Sequence, residues 1–199
     1  MGKSIRVWDI VVRFGHWTLA ALFLTAYISE GEPTWLHTSA GYGVLVVIAF
    51  RVLWGFIGTE HARFRDFIYP LSEVRSYLQG LIARKPRHYL GHNPAGGLMV
   101  FALLVALTGT ACTGMALFAA DRGRGPIAAG AALMRGEQLR DDGRYAKVGS
   151  KRFWKEVHEI FANATLALVV MHIAGVVVSS VLHRENLARA MVTGRKQQP

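Results

Sequence analysis

Two histidines in the last apolar stretch, His158 and His172, stand 14 positions apart. At about 100° per residue their imidazoles return to nearly the same face of a helix, and at about 1.5 Å per residue they lie about 21 Å apart along it. The residues between them, EIFANATLALVVM, are almost wholly apolar. Ionisable side chains inside a membrane are rare and usually face a functional interior. Neutral imidazole is also an axial ligand for haem iron. The spacing therefore describes a helix that serves as the shared wall of two haem sites, one above the other.

Elements able to position such histidines are visible in the charge pattern. The chain has 199 residues, is 52% hydrophobic, and keeps its charges apart from its apolar runs. Four stretches, at about 10–29, 36–57, 97–118 and 159–182, are long enough for a hydrocarbon core of about 30 Å. Lys3 and Arg6 before the first stretch resemble the start of a secretory signal. No convincing small-x-small cleavage site follows, so the stretch is kept as a span. The expectation is an all-α membrane protein, a bundle of four transmembrane helices binding haem between them. It forms one domain over 1–199 with long loops at 59–90 and 119–156. The sequence LSEVRSYLQGLIA in the first loop has the character of a short amphipathic helix at the surface.

A net charge of +10 can signal nucleic acid, but here the basic residues flank apolar spans and suit lipid headgroups. Cys112 is the only cysteine, so there is no disulfide framework and no CxxCH site for covalent haem attachment. Any haem is then non-covalent and b-type. No GxGxxG motif, paired catalytic carboxylates or Ser-His-Asp set is present. The tryptophans lie mostly near span ends, as an aromatic belt requires.

The N-terminus, the 59–90 loop and the tail share one side of a four-span chain and together carry more Lys and Arg than the 119–156 loop. The positive-inside rule then puts both termini in the cytoplasm. Lys147, Lys151, Arg152 and Lys155 crowd the outer start of span four and oppose that assignment. With this topology His37 and His158 lie near the outer face, and His16 and His172 at inner depth. Two pairs follow, His37 with His158 and His16 with His172. Gly15, Gly41, Gly43, Ala162 and Gly175 lie beside or about a turn from these residues, leaving room for a flat cofactor; close helix packing uses the same residue types.

His61, His88, His92 and His183 fall in or beside the inner loop or at the inner end of span four, where each alone reads as an interfacial polar residue. Yet His92, His183 and Arg51 can share the inner surface near one haem, and a quinone needs hydrogen-bond donors and a proton route. Arg51 follows His37 by 14 positions, on the same helical face, and suits a bidentate contact with a haem propionate. It serves equally as an interface anchor.

The stretches VRFGHW at 12–17, LHTSAGYGVLVVIAFRVLWGFIG at 36–58, GHNPAGG at 91–97, VHEIFANATLALVVMH at 157–172 and HRENLARAMVTG at 183–194 cover all four spans. As a set they resemble the bacterial cytochrome b561 family, and within it the b-type cytochrome subunits of membrane-bound nickel–iron hydrogenases. The resemblance implies a four-helix membrane bundle with b haem and ligand histidines at His16, His37, His158 and His172. It also implies electron exchange between a periplasmic redox protein, a hydrogenase or a c-type cytochrome, and membrane quinone. The 119–156 loop matches no quotable pattern, and partner choice should reside there.

The expectation is thus a multi-pass cytochrome of the bacterial inner membrane with two haem b groups. The outer haem faces the periplasmic partner and the inner one quinone, surrounded by membrane lipid. A homodimer is compatible with the chain. The alternatives are a membrane anchor of a redox complex, or a stand-alone superoxide-to-quinone oxidoreductase. A metal-ion relay is disfavoured because the spans contain almost no Asp or Glu.

Overall fold

The computed structural model describes residues 4–85 and 87–197. Among them are seven α-helices, four long and apolar enough to cross a membrane: α1 (Ile10–Ser29), α2 (Thr34–Ile57), α4 (Pro94–Arg122) and α6 (Lys151–His183). Between them lie α3 (Leu71–Ile82) and α5 (Pro126–Arg135), and α7 (Leu187–Thr193) follows the last span. The helices α4 and α6 run past the apolar windows read from the sequence, because a helix does not stop where its surroundings change from lipid to water. The short helix α3 occupies the amphipathic stretch, with Val74 and Tyr77 buried and Leu71, Leu78 and Ile82 exposed. The helix α5 was not anticipated; its sequence, PIAAGAALMR, offers little apolar periodicity.

The spans bury many small or hydroxyl-bearing residues beside a few large ones such as Phe23 and Ile48, and expose many large apolar ones. Ala40, Gly55, Ala106, Ala116 and Thr165 are buried, whereas Phe14, Ile28, Val46, Phe56 and Val181 are exposed. In water such exposure is unfavourable; in lipid it is the expected arrangement, because helix association there relies on close packing of small residues.

The chain divides into two compact units. One comprises 1–104 and 167–199, the other 105–166. In the first, α1 and α2 form a hairpin. The Gly43 position admits Leu22 so closely that a Cβ there would stand 2.9 Å from its methyl group. The chain ends are stitched together. β1 (Ser4–Arg6) pairs antiparallel with β2 (Arg195–Gln197), Ile5 opposite Lys196. The Gly194 carbonyl accepts from the Val7 and Trp8 amides at 2.8 and 3.1 Å. Val7, Trp8, Val12, Ala62 and Ala190 form a small core beneath this clasp. Paired ends put both termini on one side, as an even number of spans requires.

In the second unit, α4 and α6 segments pack through glycine and threonine. Thr110 and Thr165 hydroxyls meet at 2.9 Å, with Thr165 fully buried. A Cβ on Gly109 would fall 2.3 Å from the Phe161 ring.

Asp9 anchors the start of α1. Its carboxylate accepts from the Val12 amide at 2.8 Å, from Trp54 Nε1 at 3.1 Å and from the Thr59 hydroxyl. Burial opposes its ionisation, but these donors together outweigh burial and hold Asp9 below its ordinary value of 3.8. The stability it contributes is full above pH 3.8 and is lost as the pH falls through the lower folded value. Asp9→Ala removes a cap and two side-chain bonds together, and should cost about 1–2 kcal/mol. A lowered thermal midpoint in detergent at neutral pH, with a smaller difference from the parent in acid, is the expected result.

Candidate functional site

His16 and His172, from α1 and α6, come together in the first unit. Their ring centres are 6.3 Å apart and the planes are inclined by 54°. A bond from imidazole nitrogen to a metal is about 2 Å long, and a ring centre lies about 1 Å behind its nitrogen, so two imidazoles on opposite sides of one iron stand about 6 Å apart. Among the described residues no group of three or more His, Cys, Asp or Glu is placed to hold a metal ion. Two imidazoles alone leave an iron largely uncoordinated, and a tetrapyrrole's four nitrogens are what would complete it.

Several buried side-chain nitrogens near the clasped termini lack hydrogen-bond partners among the described residues: Arg13 Nε, His16 Nδ1, Arg51 Nη1 and His92 Nδ1. An unmet buried polar atom is costly; Arg13 Nε and Arg51 Nη1 are donors, and the two histidine nitrogens can donate or accept according to tautomer. Arg13 is held by the tail, since its Nη1 donates to the Thr193 carbonyl at 3.4 Å. It lies three residues before His16, one turn away on the same helix face. Arg51 stands over the Phe64 ring at 5.0 Å and the Phe67 ring at 6.0 Å, where aromatic faces support the guanidinium. Sequence reasoning singled out Arg51 and missed Arg13, although its spacing from His16 was a usable signal. Beyond its own helix backbone and chain neighbours, no described atom lies within 4 Å of a Cβ built on Gly41 or Gly175, so these glycines border open space.

Arg51, His92 and His183 all belong to the first unit. The His92 ring is packed between Trp8, at 4.6 Å, and Phe67, at 4.4 Å. Burial, then the positive charges of Arg51 and Lys196, push its pKa down to about 3, so it is a neutral hydrogen-bonding group. His183 ends α6 and lies 3.4 Å from the Tyr77 hydroxyl through Nε2.

His37 belongs to the first unit and His158 to the second. Each has its Nδ1 against a main-chain carbonyl, Ala26 at 2.8 Å for His37 and Thr110 at 3.0 Å for His158. A carbonyl only accepts, so Nδ1 carries the proton, and in the neutral ring Nε2 keeps its lone pair for a metal. Metal-binding histidines are commonly fixed in this way. Thr113 Oγ1 adds a second contact to His158 Nδ1 at 3.2 Å. Near it, Cys112, Thr113, Ala116, Ile127, Val148 and Trp154 line an apolar cavity of about 290 Å³.

A family model described as prokaryotic cytochrome b561 matches residues 7–194. A protein of Rhizobium leguminosarum bv. viciae, named as a probable Ni/Fe-hydrogenase B-type cytochrome subunit, is 24% identical, with 98% of this chain and 89% of that protein aligned. One of Azotobacter vinelandii with the same name is 31% identical over 61% of this chain and 62% of its own length. One of Escherichia coli (strain K12), named as a probable Ni/Fe-hydrogenase 1 B-type cytochrome subunit, is 30% identical over 56% and 59%. The chain therefore spans less than two thirds of the latter two relatives and most of the first.

A Cβ on Gly114 would stand 3.0 Å from His158 Cε1, so the branched side chain of Gly114→Val should displace the imidazole. Haem absorbance per protein after purification should drop in Gly114→Val. It should change much less in Thr113→Val, which keeps the bond from His158 to the Thr110 carbonyl.

Proposed function

The chain belongs to the prokaryotic cytochrome b561 family, and from that premise we propose that it carries electrons between a periplasmic nickel–iron hydrogenase and quinone in the bacterial inner membrane, both termini being cytoplasmic. It is a multi-pass membrane protein and a b-type cytochrome, so its cofactor is haem b. The finer reading assigns two haems. His16 and His172 hold one; His37 and His158, matched by depth in the sequence, hold the other. The single observation that carries this reading is the opposed pair of His16 and His172, with rings 6.3 Å apart and the unpartnered donors of Arg13 and Arg51 in the same unit.

The residues fit the group. His16 and His172 would hold the iron, Arg13 and Arg51 would offer donors to the propionate carboxylates, and no neighbouring helix crowds Gly41 or Gly175. Bound there, haem b supplies reversible one-electron chemistry. The chain's own contribution is axial ligation, burial and spacing. His92, neutral and pressed between Trp8 and Phe67, offers a donor to a quinone carbonyl near the clasped termini. The relatives named as hydrogenase cytochrome subunits support hydrogenase as the partner, and the 119–156 segment, with its basic residues and α5, is the docking surface assigned to it.

Purified protein should contain about two haems per chain, and His172→Ala or His16→Ala should each lower that to about one, leaving a bis-histidine spectrum for the remainder. Retention of both haems in both variants would refute the assignment. In membranes that also hold the hydrogenase, hydrogen-driven quinone reduction should stop in either variant.

A further inference from the structure

Around the C-terminal end of α6, the first unit gathers titratable side chains that neither axial ligation nor propionate binding uses. Glu185 Oε1 lies 2.8 Å from His88 Nε2. Their side chains are 12% and 25% exposed, so this pair reaches water. The His88 ring meets the His183 ring edge-on, 5.4 Å between centres. His183 Nε2 lies 3.4 Å from the Tyr77 hydroxyl. Tyr77 is buried, and its hydroxyl also interacts with Ser179 and Asn93. Asn93 is the next residue after His92.

The order of these contacts is a line from a part-exposed carboxylate to a buried phenol next to the His92 segment. Each member can accept a proton at one atom and release one at another: imidazole through its two nitrogens, a hydroxyl by rotation. The neighbours that face the line are also charged or titratable. Lys196 Nζ lies 3.4 Å from the Tyr89 and Gly91 carbonyls and is influenced by Glu185. Tyr89 donates to Glu73 at 3.0 Å, and its ring packs against Tyr77. A cluster that merely fastened the helix end would need one such bond. Four proton-transferring groups in series, three part-exposed and the last, Tyr77, buried, suit transport from water inward.

We propose that Glu185, His88, His183 and Tyr77 form the proton inlet for quinone reduction on the side of the membrane that holds the termini. The inference rests on the quinone reading given above. Converting each quinone C=O to C–OH takes one electron and one proton, so full reduction takes two of each. The electrons come from the periplasmic donor. Each proton that leaves Tyr77 is replaced from His183, then from His88, then from Glu185, which is reprotonated by water. The line returns to its starting state, and quinol oxidation runs it in reverse.

The test uses full-length, haem-loaded protein, chemically reduced and mixed with a short-chain ubiquinone in weak buffer. The haem band reports electron loss and a pH-indicator dye reports proton uptake. Oxidation by ferricyanide, which takes electrons and no protons, is the comparison. In Glu185→Gln, His88→Ala and Tyr77→Phe, quinone-driven oxidation and dye response should slow together by about tenfold or more at about pH 8, and the deficit should shrink in acid. The ferricyanide rate should stay within about twofold, and added imidazole should restore His88→Ala. Equal slowing with both oxidants would show a structural role and overturn the inlet. So would variants that match the parent in quinone and dye traces. If the parent protein itself reduces no quinone, the quinone reading falls and the inlet with it, a result distinct from the other two.

Discussion

An imidazole buried in a membrane span is held in one tautomer when one of its nitrogens is bonded to a fixed acceptor, leaving the other free for a metal. That constraint organises much of this chain. Helical backbone spends its carbonyls internally, so an accepting carbonyl must be found where a neighbouring helix approaches closely. Ala26 and Thr110 provide two such acceptors, and both depend on tight contact. The α1–α2 hairpin brings Ala26 to His37, and glycines at 109 and 114 let α6 lie against α4 so that His158 reaches Thr110. The small residues on the buried faces are thus the means by which two rings acquire a defined tautomer. The bulky apolar residues, turned outward to lipid, contribute little to this and much to solubility in the bilayer.

The site near the termini works differently. His16 Nδ1 has no partner among the described residues, and the same holds for one nitrogen each of Arg13, Arg51 and His92. Unmet donors there are compatible with an apolar setting only if something rich in acceptors completes them. The propionates of the proposed haem would be acceptors of that kind for the two arginines. Aromatic faces at Phe64 and Phe67 hold Arg51 in place without consuming its hydrogen-bonding capacity, which leaves the guanidinium available.

Most of the helical scaffold was legible in the sequence because lipid imposes a coarse rule: about twenty apolar residues per crossing. The four spans follow from it, and α3 from the apolar stripe of its own short sequence. The short helix α5 did not, since an Ala- and Gly-rich segment has no apolar stripe to read. The three-residue strands at the chain ends are too brief for any alternation to register. Span direction and position put His16 and His172 at one depth, but depth carries no information about which ring atom faces which neighbour. Contacts such as His88 with Glu185, or Tyr77 with His183, join residues 97 and 106 positions apart, and no local pattern announces them. Arg13 was legible in principle, one turn from His16, and was passed over because a basic residue near a span end has an ordinary explanation.

The clasp between β1 and β2 also fixes an order of events during synthesis. Arg13 is tethered to a carbonyl 180 positions later, and Trp8 is capped by Gly194. These bonds cannot exist until the ribosome has released nearly the whole polypeptide. The clasp is therefore a late event, made only after the last span has left the ribosome.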